Sequence, residues 1–468
     1  MALAGLGAGL AGEGASCGVS RSSDSGAPLV GIARGKILVR KDIEKATPNE
    51  IAVLKHAIEV MKKESKNPRA GWRGQANIHQ VSCPHGNWFF LPWHRAYLYY
   101  FEKICRKASG DDAFTLPYWN WTKSPTIPQA FWDEPFSDGT RKAAKQDKAK
   151  DEFVGKEIVD RILAINDFET FAGGATKELQ PEKQPGQGRL ESSPHNHIHN
   201  FVGGNMRTFM SPLDPLFWLH HANVDRLWTT WVTAHPKSMP AAKTWLELPL
   251  DFFDFEGNPT SMKVQETLNT HDLGYRYDTQ AETTAGEQRP SGDGVGHESV
   301  SEEFRASSKI SDALRVGTAA IIDLFPSGKL REHLGFLANA PLQSLKESEI
   351  RVTIRGIRPP EGSDLDVRVF VNCPSVTRDT PVSDAHFIGS FSFFPTGSSE
   401  EHGHRGRSLT SVFLDGLKTF RALRERKLYD PQGPLQVQLI ALNSDRESIG
   451  TGQLIAEQVE LDYLSGRT

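Results

Sequence analysis

Apolar positions follow two rhythms along this chain: helical spacing before about residue 280 and alternation after about residue 350. After Thr47 the first rhythm is clear, because Ile51, Leu54, Ile58 and Met61 fall on one face. Thr47, Pro48 and Glu50 supply a cap, a first-turn proline and the acid of a capping box, so a helix is expected there. His56 lies off the apolar face and reads as a solvent residue. A second helix is expected to begin near Pro92 and to carry His94, Leu98, Phe101 and Cys105 along one stripe. A third is expected with Asp214 as cap and Pro215 in its first turn, running through His221 to Trp228. His195 and His199 are one helical turn apart, so both imidazoles can face one point.

The second rhythm appears in "IRVTIRGI", "DVRVFVN", "HFIGSFSFF", "LQVQLIAL" and "IAEQVELDYL", which predict an antiparallel β-sandwich. Residues 279–303 are rich in Gly, Ser, Thr and Glu without periodicity, the composition of a linker. The expected organisation is a flexible tail over 1–29, a mainly α core over 30–278, a linker over 279–345 and the sandwich over 346–468. The first twenty residues are small, apolar and glycine-rich without a positive stretch. They read either as the stump of a trimmed export signal or as a flexible tail, so both an exported and a cytoplasmic protein stay open.

A chain of 468 residues makes two or three folded units the sensible expectation. A net charge of −4 offers no basic field for a phosphate backbone, which argues against nucleic acid as a partner. No apolar run approaches a membrane span. Cys17, Cys83, Cys105 and Cys373 are too few and scattered for a disulfide framework, and Cys105 reads as a buried thiol.

What changes the picture is six histidines in two clusters: His79, His85 and His94, then His195, His199 and His221. Two sets of three imidazoles without a cysteine-rich pattern suit two facing copper ions better than structural zinc. The expected frame is a four-helix bundle, with ligands from facing helices and one adjoining loop. Neighbours on a helix point about 100° apart, so only one of His220 and His221 is expected to face the metal. His197 should point away, while His402 and His404 read as solvent residues.

These clusters resemble the two copper signatures of the tyrosinase and polyphenol oxidase family. In the first, eight residues separate His85 from His94, with Phe90 before the second histidine and Arg95, Leu98 and Glu102 after it. In the second, "HNHIH" is followed by Asp214, Pro215, Phe217, His221 and Asp225. The likeness continues through "GYRY" and "DVRVFVN…GSFSFF", covering roughly residues 35–465.

The resemblance implies His79, His85 and His94 on one copper (CuA), and His195, His199 and His221 on the other (CuB), with one dioxygen shared between them. It selects His221 over His220, leaving His220 as a buried neighbour. It also implies a thioether between Cys83 and His85, the plain alternative being a thiol exposed to copper and oxygen. Glu191 and Asn196 resemble positions that hold a water able to take a phenol proton; otherwise Glu191 caps the next helix and Asn196 is a surface residue. Phe209 matches the family's gate over CuB, with Met210 as competitor. Arg40 is expected to stack on Tyr275 or Tyr277.

In similar proteins a C-terminal domain covers the dicopper cleft, and here Val376 in "NCPSVTRDTPVSD" is the expected plug. A latent enzyme follows, activated by a cut within 279–303. The implied reaction converts monophenols to catechols and catechols to ortho-quinones, with oxygen reduced to water. Small phenols and O2 are the implied partners, and oligomeric state stays open. Two alternatives stand beside it: a catechol oxidase lacking the first step, and an oxygen carrier of the molluscan haemocyanin kind. The single 468-residue unit argues against a carrier built from many repeats.

Overall fold

The computed structural model describes residues 37–64, 69–176, 183–280, 304–339, 349–358, 365–393, 410–430, 433–443 and 453–464. The expected tail over 1–29 and most of the 279–303 stretch lie outside the described residues.

Helix α1 (Pro48–Lys63) begins with the expected capping box, Thr47 N donating to Glu50 Oε2 and Glu50 N to Thr47 Oγ1. Leu54, Ala57, Ile58 and Met61 are buried, and His56 is exposed. Helix α2 (Trp72–Ser82) follows, and α3 (Phe90–Ser109) begins near Pro92, as expected. Asn87 Oδ1 accepts from Phe89 N at 2.8 Å, so the turn is nucleated before Pro92 is reached. Gly110, at φ 72°, ends α3 in the left-handed conformation that glycine adopts without strain. In the Leu216–Ala234 helix, Asp214 Oδ1 accepts from Leu216 N at 2.9 Å, the expected cap. The same carboxylate takes two bonds from Arg141, at 2.8 and 2.6 Å.

A buried charge cluster joins the start of the helical region to its end. The Leu38–Arg40 strand pairs in parallel with Tyr275–Tyr277. The Arg40 guanidinium lies 3.7 Å from the Tyr275 ring centroid, donates to Glu102 at 2.9 Å and pairs with Asp225 at 3.3 Å. Asp225 also accepts from Arg95 Nε at 2.5 Å and from the hydroxyls of Tyr275 and Tyr277 at 2.7 and 2.6 Å. Burial alone would raise the Asp225 pKa, but Arg95 and Arg40 hold it below the ordinary carboxylate range.

The C-terminal region forms two four-stranded antiparallel sheets. One runs in the order Phe387–Ser392, Leu365–Val371, Leu435–Asn443, Ala319–Leu324. The other runs Thr410–Asp415, Glu349–Ile357, Gln458–Leu464, Arg305–Lys309. All five expected strands are present. The linker expected over 279–345 is corrected, because residues 305–309 and 319–324 supply outer strands to these sheets and Gly328–Asn339 is a helix. Outer strands lose the alternation signal where a side faces water: only Ala306 is buried in Arg305–Lys309, and Ile321 is 62% exposed.

Three strands of the first sheet, Phe387–Ser392, Leu365–Val371 and Leu435–Asn443, are buried on both faces. Val367, Val369, Ile388 and Leu439 pack inward against the second sheet, whereas Phe370, Phe387, Ile440 and Leu442 join the core of the helical region. Ion pairs add to this contact: Arg368 with Glu152 at 2.6 Å and Lys150 with Asp366 at 2.6 Å.

Candidate metal centre

Four helices and one loop bring the histidines together. His79 lies in the last turn of α2, His85 in the loop that follows, and His94 in the second turn of α3. His195 ends a widened turn, Glu191–His195, which contains Pro194 and runs into the Asn196–Val202 helix bearing His199. Proline has no N–H for the helical ladder, which suits the local widening. His220 and His221 come from the Leu216–Ala234 helix.

The rings form two groups. In one, the ligand atoms of His79, Cys83, His85 and His94 lie within 4.8 Å of one another; in the other, so do those of His195, His199, His220 and His221. The groups face each other. His94 and His221 stack at 4.1 Å between centroids with planes 9° apart, and His85 and His195 are 5.7 Å apart. Phe90 stands between them, 4.7 Å from His94 and 4.8 Å from His195.

Oxygen acceptors fix the tautomers of four rings. The Nδ1 atoms of His79, His94 and His199 meet the carbonyls of Phe209, Phe90 and Met206 at 2.7, 2.8 and 2.5 Å. His195 Nδ1 meets Asn196 Oδ1 at 2.9 Å. A carbonyl can only accept, so each Nδ1 carries the proton and each Nε2 keeps its lone pair. Burial, reinforced by neighbouring imidazoles, pushes His85, His94, His195, His199, His220 and His221 well below the ordinary histidine range. Neutral rings with inward lone pairs are the donor set a pair of coppers requires, so the residues fit the metal.

His220 corrects one expectation. His220 is buried beside the site as expected, but only one of the two neighbours was to face the metal, and the His220 ring also lies 5.2 Å from His195 and 5.0 Å from His199. Two directions 100° apart can still converge on rings lying between them. What separates the two is position: His221 stacks on His94 between the groups, while His220 lies toward Trp121. Both His220 nitrogens are buried and find no hydrogen-bond partner among the described residues. His197 behaves as expected, stacking on Phe153 at 4.3 Å and accepting from Lys150 N.

The common central domain of tyrosinase matches residues 51–160 and 132–234, and the polyphenol oxidase middle domain matches 241–290. A tyrosinase of Hahella sp. (strain CCB-MM4) is 37% identical over 221 residues, 42% of this chain and 47% of that protein. The chloroplastic polyphenol oxidase E of Solanum lycopersicum is 28% identical over 433 residues, 81% of this chain and 70% of that one. The chain belongs to the tyrosinase and polyphenol oxidase family. The chain thus spans about half the length of the bacterial tyrosinase and more of the tomato enzyme. Latent apple tyrosinase shares the fold, with a TM-score of 0.68 at 22% identity, covering 92% of this chain and 98% of that one. Tyrosinases and polyphenol oxidases are copper oxidoreductases, and two coppers are the cofactor these imidazoles fit.

The other residues singled out by likeness to tyrosinases fall as follows. Cys83 Sγ lies 3.5 Å from His85 Nδ1 and 3.9 Å from its Nε2. It is also 3.4 Å from His94 Nε2. Glu191 is fully buried and accepts Gly86 N–H with both oxygens, at 2.9 and 3.0 Å, rather than capping a helix. Burial pushes its carboxyl up to about 8, against the pull of the Gly86 N–H. Asn196 is equally buried, which excludes a surface role. Phe209 packs against His79 and His85, at 6.4 and 5.7 Å between ring centroids. Met210 is half-buried, and Val376 is half-buried against the helical-region core. The backbone acceptors that orient the rings had no signal in the sequence, because any residue type can supply a carbonyl.

Proposed function

We propose that this chain is a phenol oxidase of the tyrosinase type. His79, His85 and His94 hold one copper and His195, His199 and His221 the other, in a four-helix bundle within residues 30–278. Bound there, the two coppers supply the activation of dioxygen. A capping β-sandwich, beginning near residue 304 and including 346–468, covers the cleft with Val376 as plug. Phe209, or Met210, gates the entry, and a Cys83–His85 thioether stiffens the loop that carries one ligand.

The observation that carries this reading is the pair of facing imidazole groups, with four rings tied to oxygens so that their lone pairs are left for metal. The chain's own groups then act on the substrate. Phe90 and Phe209 supply aromatic surface beside the rings for a phenol to pack on. Glu191, held by Gly86 N–H, takes the phenol proton through a water, and Asn196 sets the ring of His195. Monophenols become catechols, and catechols become ortho-quinones.

Oxygen uptake by the copper-loaded chain, offered tyrosine, tyramine and a catechol in turn, tests the reading. A core ending near Tyr277 should turn over catechol faster than the full chain, and equal rates would remove latency. Monophenols should show a lag that added catechol shortens; no monophenol uptake at all leaves the catechol-oxidase alternative. Glu191→Gln should cut monophenol turnover by roughly 10²-fold, the scale of a lost general base, and catechol turnover much less. Equal losses on both substrates would take Glu191 out of proton transfer.

A further inference from the structure

Both C-terminal sheets end in open edges, Phe387–Ser392 in one and Thr410–Asp415 in the other. Each edge meets residues 187–200, the segment that carries His195 and His199. Gln187 exchanges backbone bonds with the second edge, its N–H donating to Ser411 O at 2.8 Å and its carbonyl accepting from Phe413 N at 3.1 Å. Side chains meet the first edge. Arg189 Nη1 donates to Ser390 O at 2.7 Å, Asn196 Nδ2 to Ser392 O at 2.8 Å and Asn200 Nδ2 to Phe393 O at 2.9 Å.

Asn196 differs from its neighbours because its other end touches a ligand ring. Ser392 O can only accept, so the amide must turn its nitrogen toward the sheet. The same nitrogen also donates to Gln187 Oε1 at 3.2 Å. Oδ1 is thereby the atom left facing His195 Nδ1, at 2.9 Å. His195 must carry its proton on Nδ1 and its lone pair on Nε2, the atom available to the metal. The acceptors for His79, His94 and His199 are carbonyls of the helical region itself, at Phe209, Phe90 and Met206. Among these four rings, His195 is the one whose acceptor is oriented from the C-terminal sheet.

We propose that the C-terminal sheet is a working part of the second copper site: the Ser392 carbonyl, acting through the positioning residue Asn196, selects the His195 tautomer that binds metal. Covering the cleft and orienting one of its ligands are then two tasks of one C-terminal region. The proposal rests on the dicopper reading above.

Copper titration of the full chain, followed by metal analysis and electron paramagnetic resonance, separates the possibilities. The unaltered chain should bind two coppers; fewer would remove the dicopper reading itself and this proposal with it. Asn196→Leu removes both the oxygen that faces His195 Nδ1 and the amide nitrogen that reaches Ser392 O. It should weaken the second copper about 10- to 100-fold, the usual scale for a lost orienting partner, and reveal the signal of a lone copper(II). Asn200→Ala removes a comparable bond to the same strand without touching a ligand ring, and should keep both coppers at unaltered affinity. Equal copper loss in the two variants would assign the effect to docking of the sheet and overturn the proposal, as would no loss in either. Gln187→Ala, which removes the other acceptor of the Asn196 amide, should weaken the second copper several-fold in the same direction. It decides the matter if Asn196→Leu does not fold, and unchanged affinity there would also overturn the proposal.

Discussion

His221→Ala should leave a chain that binds one copper and consumes no oxygen with any phenol, while His220→Ala should keep two coppers. Both imidazoles lie within reach of His195 and His199, so distance alone does not choose between them. The choice comes from the facing group: His221 stacks on His94, placing its ring between the two sets, and His220 sits on the far side near Trp121. Loss of an orienting partner alone weakens a metal by about 10- to 100-fold, so loss of a ligand should exceed that. Metal analysis after dialysis reads the result directly. Two coppers in His221→Ala and one in His220→Ala would exchange the roles assigned to these neighbours.

The second large effect concerns stability. Asp225→Ala should destabilise the copper-free chain by about 3–5 kcal/mol, the usual consequence of leaving buried cations unpaired. Arg40 and Arg95 both pair with this carboxylate, and all three side chains are almost wholly buried. Arg95 follows His94 on α3, and Asp225 lies one turn beyond His221, so their ion pair bolts two ligand helices together. Acid should act in the same direction. Asp225 is held below its ordinary range, so its contribution is present above the unfolded carboxylate's pKa and is lost as pH falls through the lowered value. Urea unfolding of copper-free protein measures this without the stabilisation that bound metal adds. A change under about 1 kcal/mol for Asp225→Ala would mean that the arginines find other partners.

Much of the helical region was legible because side-chain identity carries it. The Thr47 capping box, the Asp214 cap and the histidine spacings are all signals of residue type at fixed offset, and each reappears in the fold. The five strands that alternate were legible for the same reason. What escaped depends on backbone or on neighbours. Arg305–Lys309 and Thr410–Asp415 are outer strands, and the former is nearly all polar. His220 was read from directions at the helix surface, which does not say where two long side chains meet. Asn196 was seen as a water-holding or surface position; its tie to Ser392 spans nearly two hundred residues and involves a carbonyl that no sequence pattern marks.

The three strands buried on both faces bear on what cutting the chain accomplishes. Phe370, Phe387, Ile440 and Leu442 pack on the helical region, and a cut in the peptide between the two parts removes none of these side chains. A nick therefore converts a tethered neighbour into a separate polypeptide whose attachment obeys mass action, with the loss of a high effective concentration as the only immediate change. Dilution or a dissociating agent, more than the protease, then governs when the two halves part.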